Sequence, residues 1–215
     1  GLMSQELQRA LRWWLEVLQR GLCERRAWNK EDELAVHLFC DASGHPAHLG
    51  AVLFIGDMCY YTDMAPDGKV LDMFRRRRDN QIMGLELLSI SLGLCTFERI
   101  IRGRNVVVHS DNTGSEAAIR RGTAVALDHA QLVHTQWTHI AEQGLRVHVL
   151  RVGTHDNVAD LPSRRVPCCG FVISVNALLR LVETVGVRDV GSRRSSLGNP
   201  KIAGKVLGAA HVLSL

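Results

Sequence analysis

Residues 105–109 read NVVVH, and no other stretch limits the fold as tightly. Three β-branched residues in a row lose side-chain freedom in a helix and suit a strand buried on both faces. Such a strand lies in the interior of a sheet with helices packed over it, so an α/β chain is expected. The run ends in Ser110-Asp111-Asn112, which puts a carboxylate at a strand end. Leu34 to Gly44, LAVHLFCDASG, repeats the arrangement: apolar alternation through Phe39, then Asp41 and the small, turn-forming Ala42, Ser43 and Gly44. Taken alone, Asp41 is what a turn commonly carries. Its repetition at Asp111 makes the two aspartates worth following.

The remaining elements follow in chain order. Ser4 to Arg20 has Leu7, Ala10, Leu11, Trp14, Leu15 and Leu18 at helical spacing with Ser4 as N-cap, which predicts an amphipathic helix whose aromatic face is buried. GLCERRAWNKEDE then reads as a connector. Strands are expected at Leu34–Cys40, Gly50–Ile55 and Met58–Met64, the last two joined by a two-residue Gly56-Asp57 hairpin. Ala65 to Asp79 is a loop carrying Arg75, Arg76, Arg77 and Arg78, either a solvated charge run or a phosphate-contacting patch. Gln81 to Ile101 is a long apolar helix with Asn80 as a cap, and Glu86 stands inside it among leucines. After the valine strand come helices at Asn112–Gly122 and Asp128–Gln143, the latter with Leu132, Val133, Trp137 and Ile140 inward. Arg146–Val152 alternates as a strand, Gly153–Arg164 is a loop entering a short helix, and Phe171–Val185 reads as a C-terminal helix. This order predicts a mixed five-stranded sheet flanked by helices, its first three strands antiparallel and its continuation parallel.

Asp41, Glu86, Asp111 and Asp160 each fall at a strand end or on the adjoining helix. A glutamate in apolar surroundings must reach water, find a partner or bind a cation. Four carboxylates on one rim repel one another unless cations neutralise them, and hard oxygen ligands select magnesium or manganese over zinc. Other sites are weak. The six cysteines form no CxxC and read as free thiols of a reducing compartment. GNPKIAGKV (198–206) has phosphate-loop glycines one residue too far apart and Val206 in place of Ser/Thr. His129, His134 and His139, five apart, spread around a helix. No apolar run is long enough for a bilayer and the N-terminus lacks a signal-peptide core, so an intracellular location without membrane attachment is expected. The residues after Ser163 carry eight Lys/Arg against two acidic residues, leaving the rest slightly acidic: a metal-gathering body with a phosphate-touching tail, or a solvated tail.

Taken together, LFCDASG, LELLSISLGL, VVVHSDNTGS and THDNVADLPSR resemble the ribonuclease H domain that follows the reverse transcriptase in retroelement polyproteins, of LTR or DIRS type, where the last motif takes the form N-x-x-A-D-x-x-S-R. The similarity covers about Glu33 to Arg165. It implies a ribonuclease H-like fold over residues 33–166, preceded by a helical connector (1–32) that looks like the tail of the reverse transcriptase connection. Residues 167–185 would follow as the C-terminal helix and 186–215 as a basic, flexible extension. It also implies that Asp41, Glu86, Asp111 and Asp160 bind two Mg2+ or Mn2+ ions and hydrolyse the RNA strand of an RNA/DNA hybrid, with 2′-hydroxyl contacts giving selectivity. The implied partners are that hybrid and the polymerase of the same polyprotein, in a cytoplasmic particle or the nucleus. His155, five residues before Asp160, is the candidate for proton transfer or product release, or else a structural histidine. Asp156 competes with Asp160 as fourth ligand, and Ser43, Asn112 and Asn157 are candidate substrate contacts. Two other readings stay open: a remnant or connection-type domain that only scaffolds nucleic acid, and a transposase- or integrase-type nuclease acting on DNA.

Overall fold

A computed structural model describes residues 3–21, 35–74, 81–168 and 171–172. In chain order they form α1 (Gln5–Gln19), β1 (Val36–Gly44), β2 (Ala47–Ile55), β3 (Met58–Met64), α2 (Gly68–Asp72), α3 (Ile82–Thr96), α4 (Glu98–Ile101), β4 (Asn105–Ser110), α5 (Thr113–Arg121), α6 (Leu127–Glu142), β5 (Arg146–Arg151), α7 (Asp160–Ser163) and β6 (Phe171–Val172). A 3₁₀ turn at Thr154–Asp156 precedes α7. The sheet has the order β5-β4-β1-β2-β3-β6. β2 pairs antiparallel with β1 and β3, while β4 runs parallel to β1 and β5 runs parallel to β4. The five strands and their directions are those expected.

Four details differ from the sequence reading. β1 does not stop at Cys40: it pairs with β2 as far as Gly44↔Ala47, so Asp41 sits within a strand opposite Gly50, and the turn comes at His45-Pro46. The reason is that Ala42, Ser43 and Gly44 keep a ladder partner on β2 although β4 has ended. The long helix is broken at Phe97, whose backbone leaves the helical region and separates α3 from α4. Phe171–Val172 is a short edge strand parallel to β3 and not the start of a helix. Residues 173–215 lie outside the described residues, as do Arg75–Arg78 and Asn80. Finally, the valine run is fully buried on one face alone, with Val106 and Val108 in the core and Val107 and His109 half-buried.

The core lies between the sheet and α3. Leu38, Ala51, Leu53, Val106 and Val108 meet Leu85, Leu88 and Leu92 in one cluster. A Cβ on Gly93 would come within 2.8 Å of the Leu38 side chain and 3.2 Å of Ala51, so α3 rests close on the sheet. Its other side is covered by α6, where the buried Gln136 amide donates to Leu87 O at 2.5 Å and to Ser91 Oγ at 2.8 Å. A helix enclosed by sheet and helix needs no polar stripe, which accounts for its apolar sequence. Against this background Glu86 is the helix's one charged residue.

α1 also departs from expectation. Ser4 caps it by accepting from Leu7 N, but the apolar stripe predicted to be buried faces outward. The side docked on α6 is instead that of Trp13, which stacks on His134 and donates to Thr138 Oγ1 at 2.8 Å, helped by the Arg20–Glu142 ion pair.

Candidate metal centre

The register of the parallel strands sets the first pair of ligands level. Phe39 lies opposite His109, so the same register carried two residues on places Asp41 level with Asp111. β4 has ended by then, which leaves an opening beside β1 at the carboxyl end of the parallel strands, where open α/β sheets generally bind ligands. Glu86, on the second turn of α3, projects into it. Asp41, Glu86 and Asp111 each offer an oxygen within 4.8 Å of the others. Asp41 and Glu86 are buried, while Asp111 is half-buried. This buried acidic cluster could hold a metal ion.

Its electrostatics favour a cation. Burial, with Asp41 and Asp111 close by, pushes the Glu86 carboxyl up to about 9, and a hydrogen bond from the Ala42 backbone only partly offsets this. Burial also raises Asp41 to about 6; the Ser163 hydroxyl and Arg164 act against it, and Asp111 and Asp160 add to it. Glu86 is 4% exposed and its Oε2 has no hydrogen-bond partner. Leaving such a buried oxygen unsatisfied costs on the order of 1–3 kcal/mol, which a cation at that point would relieve. The donors are carboxylate oxygens throughout, a hard set that fits magnesium or manganese. Cys40, buried beside the cluster, has its thiol raised well above the usual range by burial and by Glu86 and Asp41, so it offers no thiolate.

Asp160 stands apart. It opens α7, and its Oδ1 accepts from Arg164 Nε at 2.7 Å. Although it is near enough to raise Asp41, it is not among the three clustered carboxylates. His155 and Asp156 are exposed on the 3₁₀ turn, outside the cluster.

Ser43, Asn112 and Asn157, candidate substrate contacts, each make hydrogen bonds within the fold. Asn112 caps α5, its Oδ1 accepting from Gly114 N at 2.9 Å and Ser115 N at 3.0 Å. Ser43 Oγ lies within hydrogen-bonding distance of Ser163 O (2.9 Å) and Pro46 O (3.0 Å). Asn157 is buried, donating to Cys40 O at 3.0 Å and toward Asp41 Oδ1 at 3.4 Å.

Two residues that matter to this geometry have no role assigned to them from the sequence, although Ser163 belongs to the last motif. Ser163, fully buried, donates its hydroxyl to Asp41 Oδ2, so Asp41 is held by Ser163 on one oxygen and Asn157 on the other. Gly50, directly opposite Asp41, seats α7: a Cβ there would lie 2.5 Å from Ser163 N and 2.8 Å from Ala159 O. A glycine inside a strand pattern is the available signal, since it marks close backbone approach. The spacing of Ser163 three residues after Asp160 is the other, because it returns the hydroxyl to the same side of a helical turn. No protein-family model matches this sequence, and no curated protein does either.

Proposed function

We propose that this chain is a metal-dependent nuclease with a ribonuclease H-like fold that hydrolyses the RNA strand of RNA/DNA hybrids during reverse transcription of a retroelement. The observation that carries the reading is the meeting of Asp41, Glu86 and Asp111 from β1, α3 and the end of β4, with a buried Glu86 oxygen lacking a partner. The sheet order and the resemblance of the four motifs support it. Asp41, Glu86 and Asp111 would hold two Mg2+ or Mn2+ ions, with Asp160 supplying a fourth carboxylate from α7. Bound there, the ions would lower the pKa of a water for attack on the phosphodiester and neutralise charge on the leaving oxygen. The chain's own residues prepare the site: Ser163 and Asn157 fix the Asp41 carboxylate, the Ala42 backbone orients Glu86, and Asp111, only half-buried, would be the carboxylate nearest to solvent of the three. His155, exposed on the 3₁₀ turn that precedes α7, would assist proton transfer or product release. The partners are the hybrid and the reverse transcriptase domain of the same polyprotein, in a retroelement particle or the nucleus.

Among the described residues no helix is long and apolar enough to cross a membrane. The test is cleavage of a labelled RNA/DNA hybrid by the purified chain with Mg2+ or Mn2+, beside the Asp111→Asn variant. Hybrid-dependent cleavage by the wild type and its loss in the variant are expected. Equal cleavage by both would sink the assignment, and cleavage of duplex DNA instead of the hybrid would move it to the DNA nuclease reading.

A further inference from the structure

α1 is amphipathic, yet it is docked the wrong way round for a helix that belongs only to its own domain. Among the described residues eleven large apolar side chains are exposed, and six of them lie on or beside this helix: Met3, Leu7, Leu11, Trp14, Leu15 and Leu18, between 48% and 72% exposed. The other five are scattered singly from Met58 to Val166, as on any soluble surface. α1 is not loosely placed. Trp13 is held by Thr138, by His134 O at 3.2 Å and by its stack on His134, and Arg20 pairs with Glu142 and Glu16. Trp14 then packs edge-on to Trp13, with ring centroids 5.0 Å apart, so the outward face is presented by an anchored helix.

We propose that this face is a self-association surface, on which two copies of the chain pair through antiparallel α1 helices centred on Leu11. The spacing is self-complementary. Leu7 and Leu15 are each four residues from Leu11, and Met3 and Leu18 lie eight and seven residues away on either side. An antiparallel copy with Leu11 upon Leu11 therefore sets Leu7 against Leu15, Trp14 beside Leu7, and Leu18 against Met3. This is the isologous arrangement that a two-fold axis requires. No charged residue interrupts the stripe; Arg9, Glu16 and Arg20 occupy the side turned to α6, and Gln8, Arg12 and Gln19 border it on one flank. The area suffices as well. Six side chains about half exposed offer roughly 600 Å² per copy, or about 1,200 Å² across the pair, the lower end for a specific interface. Left in water, a contiguous apolar patch of that size is at the upper limit for a monomer.

The inference is independent of the nuclease reading, and its test does not use activity. Sedimentation equilibrium of the full chain between about 1 and about 100 µM, where an interface of this size is measurable, is expected to show a monomer–dimer equilibrium. Leu11→Glu places two unpaired charges at the axis and is expected to weaken the dimer on the order of a hundredfold or more. Val125→Glu, the same change at a fully exposed apolar residue elsewhere, is expected to leave it unchanged. Leu11→Cys is expected to give, under mild oxidation, a disulfide-linked dimer in addition to any that the native cysteines form in the wild-type chain treated alongside. A wild-type chain monomeric throughout this range would overturn the proposal. So would a dimer indifferent to Leu11→Glu, or a Leu11→Cys variant that cross-links no more than the wild-type chain.

Discussion

α3 and α7 each bring an acidic side chain to the same end of the sheet, and they hold it in opposite ways. α3 is fifteen residues long and enclosed by the sheet and α6, and its Glu86 is buried with one oxygen unpartnered. α7 is a single four-residue turn, and its Asp160 is part-exposed and already paired with Arg164. A buried carboxylate that cannot leave is relieved only by a proton or a cation. One on a surface turn, with a guanidinium beside it, can be recruited or released. The difference separates a preformed three-carboxylate core from a fourth group whose contribution depends on how α7 is seated.

That division predicts unequal losses. On the proposed metal-dependent reading, Glu86→Gln takes away one carboxylate of the cluster while keeping its shape, and hybrid cleavage is expected to fall by about 10³-fold or more, with no rescue by higher Mg2+. Asp160→Asn is expected to lose at least about tenfold less than that. Parallel cleavage assays on the two variants decide it; equal losses would erase the distinction between the helices. Glu86→Gln carries a second signature. In the metal-free chain both Glu86 and Asp41 have folded-state pKa values raised above their unfolded ones. Each therefore contributes stability that is complete below its unfolded value and lost as pH rises, through about 6 for Asp41 and about 9 for Glu86. Urea titrations should show metal-free stability falling between pH 5 and pH 9, and Glu86→Gln should flatten the upper part of that fall. Metal must displace the same protons, so calorimetry in buffers of different ionisation enthalpy should find about one proton released per binding event at pH 7, rising toward two below pH 6. No proton release at pH 7 would mean that Glu86 is not a ligand.

Next in size is the seat of α7. Gly50→Ala drives a Cβ into backbone atoms of Ser163 and Ala159 that cannot move independently. The cost expected is about 1–3 kcal/mol of stability, together with a weakened metal site, because Ser163 is pushed from Asp41. Ser163→Ala removes only the hydroxyl. It is expected to lower metal affinity by about 10–100-fold and to shift the pH at which Asp41 takes up its proton upward, since that hydrogen bond favours the charged form. A Ser163→Ala chain with wild-type affinity and an unmoved Asp41 titration would show that Asp41 is fixed by its strand alone.

Much of this site was legible in the sequence because it is local. The strand–aspartate repeat at Asp41 and Asp111, and the isolated glutamate among leucines at Glu86, are patterns of a few residues, and β-sheet register does the rest by setting residues 41 and 111 level. What escaped is what depends on contacts far apart in the chain. Whether β1 ends at Asp41 is decided by its pairing with β2, Gly50 matters only because α7 arrives from more than a hundred residues away, and Asn157 and Ser43 turn inward for the same reason. The outward apolar stripe of α1 was misread for a further reason. Helical periodicity shows that a face is apolar without showing what covers it.

The smallest effect expected is also the sharpest check on the contrast between the helices. Arg164→Ala breaks the 2.7 Å pair with Asp160, but the pair is spaced four residues apart at the surface and its arginine is largely exposed, so stability should change by no more than about 0.5 kcal/mol. Asp160 then loses its competing cation while Asp41, Glu86 and Asp111 keep their places. Metal affinity measured by calorimetry should stay within about threefold of wild type, an effect expected of a screened surface charge, and should rise if anything. A large loss would mean that Arg164 orders α7 as Gly50 and Ser163 do, and that the fourth carboxylate belongs to the preformed core after all.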